Sequence, residues 1–189
     1  MDKVIAAVEK LIKEKPAAII AIDGPCASGK TTVAKLITQK FDVQIIRMDD
    51  FFLPPEMRTA ERLSEAGGNV HYERFNNQVA NNIKSGKNFV YDVYSCSNGT
   101  TTQSPPISPE KAIVVEGSYS LHPQINIPYD LKIFVEADYE TRLERIMLRN
   151  GSSALEIFKT KWIPLEDKYF QKFDIRKKCH IITKTDREA

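Results

Sequence analysis

The run Gly24-Pro25-Cys26-Ala27-Ser28-Gly29-Lys30-Thr31-Thr32 matches the spacing G-x-x-x-x-G-K-[ST] without a gap. Glycines so spaced let successive backbone N–H groups converge on one phosphate chain. The lysine then contacts the outer phosphates, and the hydroxyl after it can ligate Mg²⁺. Gly24, Ala27, Ser28, Gly29, Lys30, Thr31 and Thr32 are therefore candidate phosphate-binding residues, and Thr31 is a candidate metal ligand. A phosphate cradle serves hydrolysis, switching and group transfer alike, so other side chains must decide among them.

Two carboxylate sites and one row of cations are the candidates. Asp49 and Asp50 follow the apolar run VQIIRM, and Glu116-Gly117 follow AIVV. A carboxylate at the tip of a strand beside the phosphate loop can accept a proton from an attacking hydroxyl and touch the water shell of a metal. The competing reading of the Asp pair is a turn or helix cap. Glu116 can help to hold Mg²⁺ or can be a solvated charge at a strand end. Arg142, Arg145 and Arg149 recur at spacings of three and four on one helix face. Such a row suits a lid that neutralises a transferring phosphoryl group, and equally suits a solvated surface with Arg142 paired to Asp138.

These residues need elements to hold them. Residues 17–22 (AAIIAI) form a short apolar run that leads into Asp23 and the glycine loop, the pattern of a strand buried on both faces, and a helix is expected over 30–40. Residues 43–48, 112–115, 131–135 and 180–183 repeat the short β-rich run, separated by helical or loop sequence. That alternation predicts an α/β chain with a parallel sheet and helices on both faces. Helices are expected over 72–85 and 138–150, the latter with Asp138 as N-cap and Gly151 past its end. Residues 89–109 read as a strand and polar loop, with a small antiparallel hairpin as one outcome. In open α/β sheets, ligands lie beyond the carboxyl ends of the strands, so the loop, the Asp pair and Glu116 should converge on one edge.

Val4, Ile5, Val8, Leu11 and Ile12 recur at helical spacing within residues 1–15, which predicts a helix packed on the flank of the sheet. Charges interrupt every apolar stretch there long enough for a signal core. Lys and Arg number 27 against 25 Asp and Glu, a net charge of +2, so no strong field points to nucleic acid or an anionic membrane. Cys26, Cys96 and Cys179 are scattered and odd in number, which argues against a disulfide framework or zinc site and fits a reducing cytoplasm. One domain over 1–189 is expected, and self-association into a homo-oligomer is left open. Phe158, Trp162, Tyr169, Phe170 and Phe173 read as core, with base stacking as the alternative. Thr183-Lys184-Thr185-Asp186 looks like the guanine-reading T-K-x-D of GTPases and is read as coincidence.

The segments IDGPCASGKTT, RMDDFFLP, VVEGSYSL and LKIFVEADYETRLERIMLRN, with GGNVHYERF and WIPLEDKYF, resemble the uridine kinase and phosphoribulokinase family of P-loop kinases over residues 17–184. The resemblance implies a three-layer P-loop NTPase fold with a small lid at about 150–162, ATP and Mg²⁺ as cofactors, and a small-molecule substrate. By that likeness Asp49 takes the place of the catalytic aspartate, Glu116 that of a metal-associated glutamate, and Arg145 and Arg149 those of lid arginines. Phe52 and Tyr94 stand where substrate-contacting tyrosines would be. His71 occupies the place of a ribose-binding aspartate, where it could bond a sugar hydroxyl or serve a structural role beside Tyr72. The expected activity is transfer of the γ-phosphoryl group of ATP to a hydroxyl, with uridine or cytidine as leading acceptors. Nicotinamide riboside, pantothenate and sugars stay open, as do an NTP-hydrolysing regulator and a binding module.

Overall fold

The computed structural model describes residues 1–96 and 98–186. Its strands are β1 (Ile19–Asp23), β2 (Val43–Arg47), β3 (Asp92–Tyr94), β4 (Thr101–Gln103), β5 (Ala112–Glu116), β6 (Leu131–Glu136) and β7 (Ile181–Lys184). Five of them form one parallel sheet in the order β2-β5-β1-β6-β7, while β3 and β4 pair separately as an antiparallel hairpin. The central strands β1 and β5 are buried along their whole length, as apolar runs with no polar alternation require.

Alternate residues feed two cores. Ile20 and Ile22 of β1 and Val114 of β5 point to one face, where they meet Val4 and Val8 of α1 (Asp2–Glu14) and Val33 and Ile37 of α2 (Lys30–Thr38). Ile113 and Val115 of β5 point to the other face, toward Phe75 of α4 (Tyr72–Phe75) and Tyr169 of α8 (Ile163–Phe173). A period of two along each strand is what makes the chain a three-layer sandwich.

Three local departures from the sequence reading have physical causes. The segment 72–85 is not one continuous α-helix: α4 and α5 (Asn81–Ser85) flank a π turn over Asn76–Ala80. Within that turn the Gln78 side chain donates to Asp92 Oδ2 at 2.6 Å and accepts from Asp92 N at 3.0 Å, docking the helix on the hairpin. The expected strand over 89–94 narrows to β3, preceded by an isolated bridge between Phe89 and Ile107. Asp138 is at the N-cap of α6 (Tyr139–Asn150) but makes no side-chain cap, because Lys184 Nζ draws its carboxylate to 2.7 Å. Two further short helices, α3 (Ala60–Ser64) and α7 (Ser152–Ile157), carry the segments that overhang the carboxyl edge of the sheet.

At that edge Asp23 closes β1 with no exposed surface. Its carboxylate accepts from Gly24 N at 2.7 Å, Tyr119 N at 3.2 Å, Leu121 N at 2.9 Å and Tyr169 Oη at 2.7 Å. Burial still pushes its carboxyl up to about 6, with the Tyr169 hydroxyl and the backbone donors pulling the other way. Because the folded chain then holds a proton that the unfolded chain releases at lower pH, this group's contribution to stability is fully present below about pH 4. It is lost as pH rises through 6, by about 3 kcal/mol. Asp23→Asn has no such titration. Urea melts of the two proteins from about pH 4 to 7 should therefore show the parent losing stability relative to the variant by that order, and a constant difference would contradict the assignment.

Candidate active site

The phosphate loop joins β1 to α2 through backbone that other residues resist. Gly24 has φ of 145°, and a Cβ there would stand 2.0 Å from Val135 O; Gly29 has φ of 92°, and a Cβ there would meet Thr185 Oγ1 at 2.9 Å. Ala27 between them also has a positive φ of 58°. The loop delivers the N-terminus of α2, whose first N–H groups have no intrahelical partner, toward the open edge. Lys30 is buried and folds over the loop, donating from Nζ to Gly24 O and Pro25 O at 2.8 Å each. The Ser28 hydroxyl is buried without a hydrogen-bond partner among the described residues. An ammonium group, open amides and an unpartnered hydroxyl suit a phosphate chain.

The carboxylates separate sharply. The 3₁₀ turn Met48–Phe51 follows β2 and turns its two aspartates to different surroundings. Asp49 is exposed and lines a cavity at this edge. Asp50 turns inward, accepting from Tyr91 Oη at 3.0 Å, and burial raises its carboxyl above the ordinary range. Glu116, buried at the tip of β5, accepts from Thr31 Oγ1 at 3.3 Å and stands 4.0 Å from Arg47 Nε. Burial first, and the charge of Asp49 second, hold its carboxyl above the ordinary value. Thr31 and Glu116 thus offer hard oxygen donors side by side, and a cation between them would relieve the strain on the Glu116 charge. Among the described residues no cluster of three or more His, Cys, Asp or Glu could hold a metal alone. Mg²⁺ commonly takes one or two protein ligands and completes its shell with phosphate and water.

The arginine row on α6 divides by depth. Arg142 is buried and donates from Nε to Cys26 O at 2.9 Å, a loop contact in place of the alternative side-chain pair with Asp138. Arg145 donates to Ala27 O at 3.1 Å and, through the same Nη1, to Thr185 Oγ1 at 3.0 Å. Arg149, bonded to Asn150 Oδ1 at 2.8 Å, reaches the cavity wall. The segment Thr183-Lys184-Thr185-Asp186 is correspondingly part of the site's support. Thr185 Oγ1 donates to Ser28 O at 2.6 Å, and Lys184 joins Asp138 and Asp186 at 2.7 Å each.

One brace was not apparent in the sequence. Glu166 of α8, buried, accepts from Cys26 N at 2.8 Å and Ser118 Oγ at 2.8 Å, with Arg142 Nη2 at 3.9 Å. It clamps the loop to α8 and to the segment after β5. The segment WIPLEDKYF enters the sequence reading through its aromatics and the family resemblance, neither of which assigns a role to Glu166.

All of this opens on a cavity of about 420 Å³ whose wall includes Lys30, Thr31, Asp49, Glu116, Arg145 and Arg149. Phe52 lines it as well, and so do Phe158 and Trp162, which are half-buried there, whereas Tyr169 is in the core with Phe170 and Phe173 against it. The aromatic segment therefore divides between cavity and core. His71 and Tyr94 do not line the cavity. His71 caps α4, with Nδ1 3.3 Å from Arg74 N and 3.1 Å from Glu73 Oε2, and Tyr94 pairs across the hairpin with Thr101. Cys96, two residues further on, lines the cavity instead.

A parallel sheet with a glycine-rich loop running into a helix at its carboxyl edge defines an α/β protein with the P-loop NTPase fold. The model of the phosphoribulokinase / uridine kinase family matches residues 19–154, and the chain belongs to that family. A uridine-cytidine kinase B of Dictyostelium discoideum is 29% identical over 141 residues, taking in 70% of this chain and 58% of its own length. This chain thus spans under two thirds of that relative. A uridine kinase of Clostridium botulinum (strain Okra) is 28% identical over 148 residues, 70% of this chain and 68% of its own. The solved structure of "a possible uridine kinase" from Bacillus stearothermophilus superposes with a TM-score of 0.70 at 17% identity, over 96% of this chain and 97% of its own. That likeness is one of fold.

The cysteines give a test of the loop's packing. Burial pushes the Cys26 thiol up to about 12, the nearby Glu166 carboxylate adding to it, and burial does the same to Cys179. Cys96 is exposed. A limiting thiol-alkylating reagent at about pH 8 should modify Cys96 well before the other two, since thiolate and access govern the rate. Peptide mass spectrometry reads the order, and early labelling of Cys26 would mean that the loop is not clamped as described.

Proposed function

We propose that the protein transfers the γ-phosphoryl group of ATP to a hydroxyl group of a small molecule. The observation that carries this reading is an exposed carboxylate, Asp49, in the same cavity wall as Lys30, Thr31 and Glu116, with open space between. Uridine and cytidine are the first acceptors to try, because the curated relatives bear those names. Nicotinamide riboside, pantothenate and sugars belong in the same panel.

In this mechanism Lys30 leaves the loop carbonyls for the outer phosphates, while the amides at the start of α2 hold the chain between them. Thr31 and Glu116 would hold Mg²⁺, which supplies charge neutralisation across the phosphates when bound. Asp49 accepts the proton of the attacking hydroxyl. Arg145 and Arg149 offset charge on the equatorial oxygens of a loose transition state. The segment from α7 to Trp162 acts as the lid, closing aromatic surface over the acceptor and excluding water.

ADP release with and without each acceptor tests the reading. Stimulation by one small molecule supports transfer, acceptor-independent turnover supports a hydrolase, and binding without turnover supports a module. With a working acceptor, Asp49→Asn should lower turnover at least ~10²-fold, the scale of a lost general base, and leave ATP affinity nearly unchanged. Near-normal turnover in that variant would mean that another group takes the proton.

A further inference from the structure

The arginines of α6 and of the segment leading through α3 are balanced unevenly, and of them Arg58, Arg145 and Arg149 line the cavity. Arg142 has Glu166 beside it and Arg62 pairs with Glu73 at 2.8 Å, but Arg58, Arg145 and Arg149 have no carboxylate partner among the described residues. Arg145 is anchored on the phosphate loop itself and Arg149 follows it one turn along α6, so a nucleotide triphosphate accounts for both. Arg58 is anchored elsewhere. It follows the Asp49 turn, donates from Nε to Leu53 O at 2.7 Å and from Nη2 to Cys96 Sγ at 3.3 Å, and lies 5.9 Å from the Trp162 ring centroid. Those contacts hold the guanidinium in the wall shared with Phe52 and Trp162, and Nη1 has no hydrogen-bond partner among the described residues.

A second, independent feature stands in the same wall. Asn69 is 6% exposed, lines the cavity, and its Oδ1 has no hydrogen-bond partner among the described residues. A buried amide oxygen left open is costly unless a ligand donor meets it. A guanidinium in the same wall with no carboxylate partner among the described residues is matched by an anion, which it can bind through charge-assisted hydrogen bonds.

We propose that the acceptor is an anionic alcohol: a small molecule with a carboxylate or phosphate held by Arg58 and a hydroxyl donor received by Asn69, its reacting hydroxyl directed at Asp49. This rests on the transfer reading above and narrows it, since a neutral nucleoside leaves Arg58 unanswered. Trp162, against which the guanidinium lies, makes the anion site sensitive to the position of the lid.

The test compares uridine and cytidine with pantothenate, a carboxylate, and ribose 5-phosphate, a phosphate, in the ADP-release assay and by thermal shift of the ATP-loaded protein. An anionic probe should drive turnover and give a saturable shift in Tm, and the better of the two identifies carboxylate or phosphate. Arg58→Gln should raise KM for that probe about 10-fold or more, the scale of lost charged hydrogen bonds, with Arg58→Lys recovering part of it and KM for ATP unmoved. Preferred turnover of uridine or cytidine with Arg58→Gln unaffected would overturn the inference and keep phosphoryl transfer. Absence of any Arg58-dependent Tm shift with both anionic probes would overturn it as well, and ATP turnover indifferent to every acceptor would remove the transfer reading beneath it.

Discussion

The carboxylate of Asp23 is the constraint from which the site is built. Three backbone amides and one phenol, drawn from the loop after β1, the segment after β5 and helix α8, converge on two oxygens with no access to water. An ionised group in that position can neither move nor lose a donor without leaving a charge buried and unsatisfied. The entrance of the phosphate loop is thereby fixed relative to the segment after β5 and to helix α8. Glu166 repeats the device one layer outward, holding Cys26 N and Ser118 Oγ together. Two buried acids thus shape a loop whose own glycines would leave it free.

On that frame, adjacent residues of one chemical type acquire different uses. Asp49 and Asp50 differ by one step along a 3₁₀ turn, enough to expose one to the cavity and bury the other against Tyr91. Arg142 and Arg145 differ by less than a turn of helix, yet one is buried under the loop while the other reaches both Ala27 and Thr185. Burial and anchoring, and not residue type, separate support from chemistry here.

How much of this could be read from the sequence follows the range of the interactions. The alternation of short apolar runs with helical stretches reports local period and burial, so the parallel sheet, the α2 start and the hairpin are legible in it, as are Lys30 and Thr31 at the helix start and Asp49 and Glu116 at strand ends. What escaped depends on distant partners. Glu166 reaches Cys26 across 140 positions and Thr185 reaches Ser28 across 157, and no local pattern marks either. The division of the aromatics after residue 157 has the same origin: a π turn over Phe158–Trp162 breaks the helical phase that a strict 3.6-residue period would carry from Phe158 to Phe173. His71 and Tyr94 were placed by analogy of position, and the fold spends them on a helix cap and a hairpin pair.

Gly151, between α6 and α7, has φ of 82° and open space where a side chain would begin. If the segment from α7 onward is the lid proposed above, an unobstructed joint there would let α7 swing as a lever while Arg142 and Arg145 tie α6 to the loop. Phe158 and Trp162 would then belong to the moving part, and Lys30, Thr31 and Glu116 to the stationary one. Discrimination between acceptors would accordingly be expressed less in how firmly each is held at rest than in how completely each allows the lever to shut, so poor substrates would occupy the site and still fail to commit it.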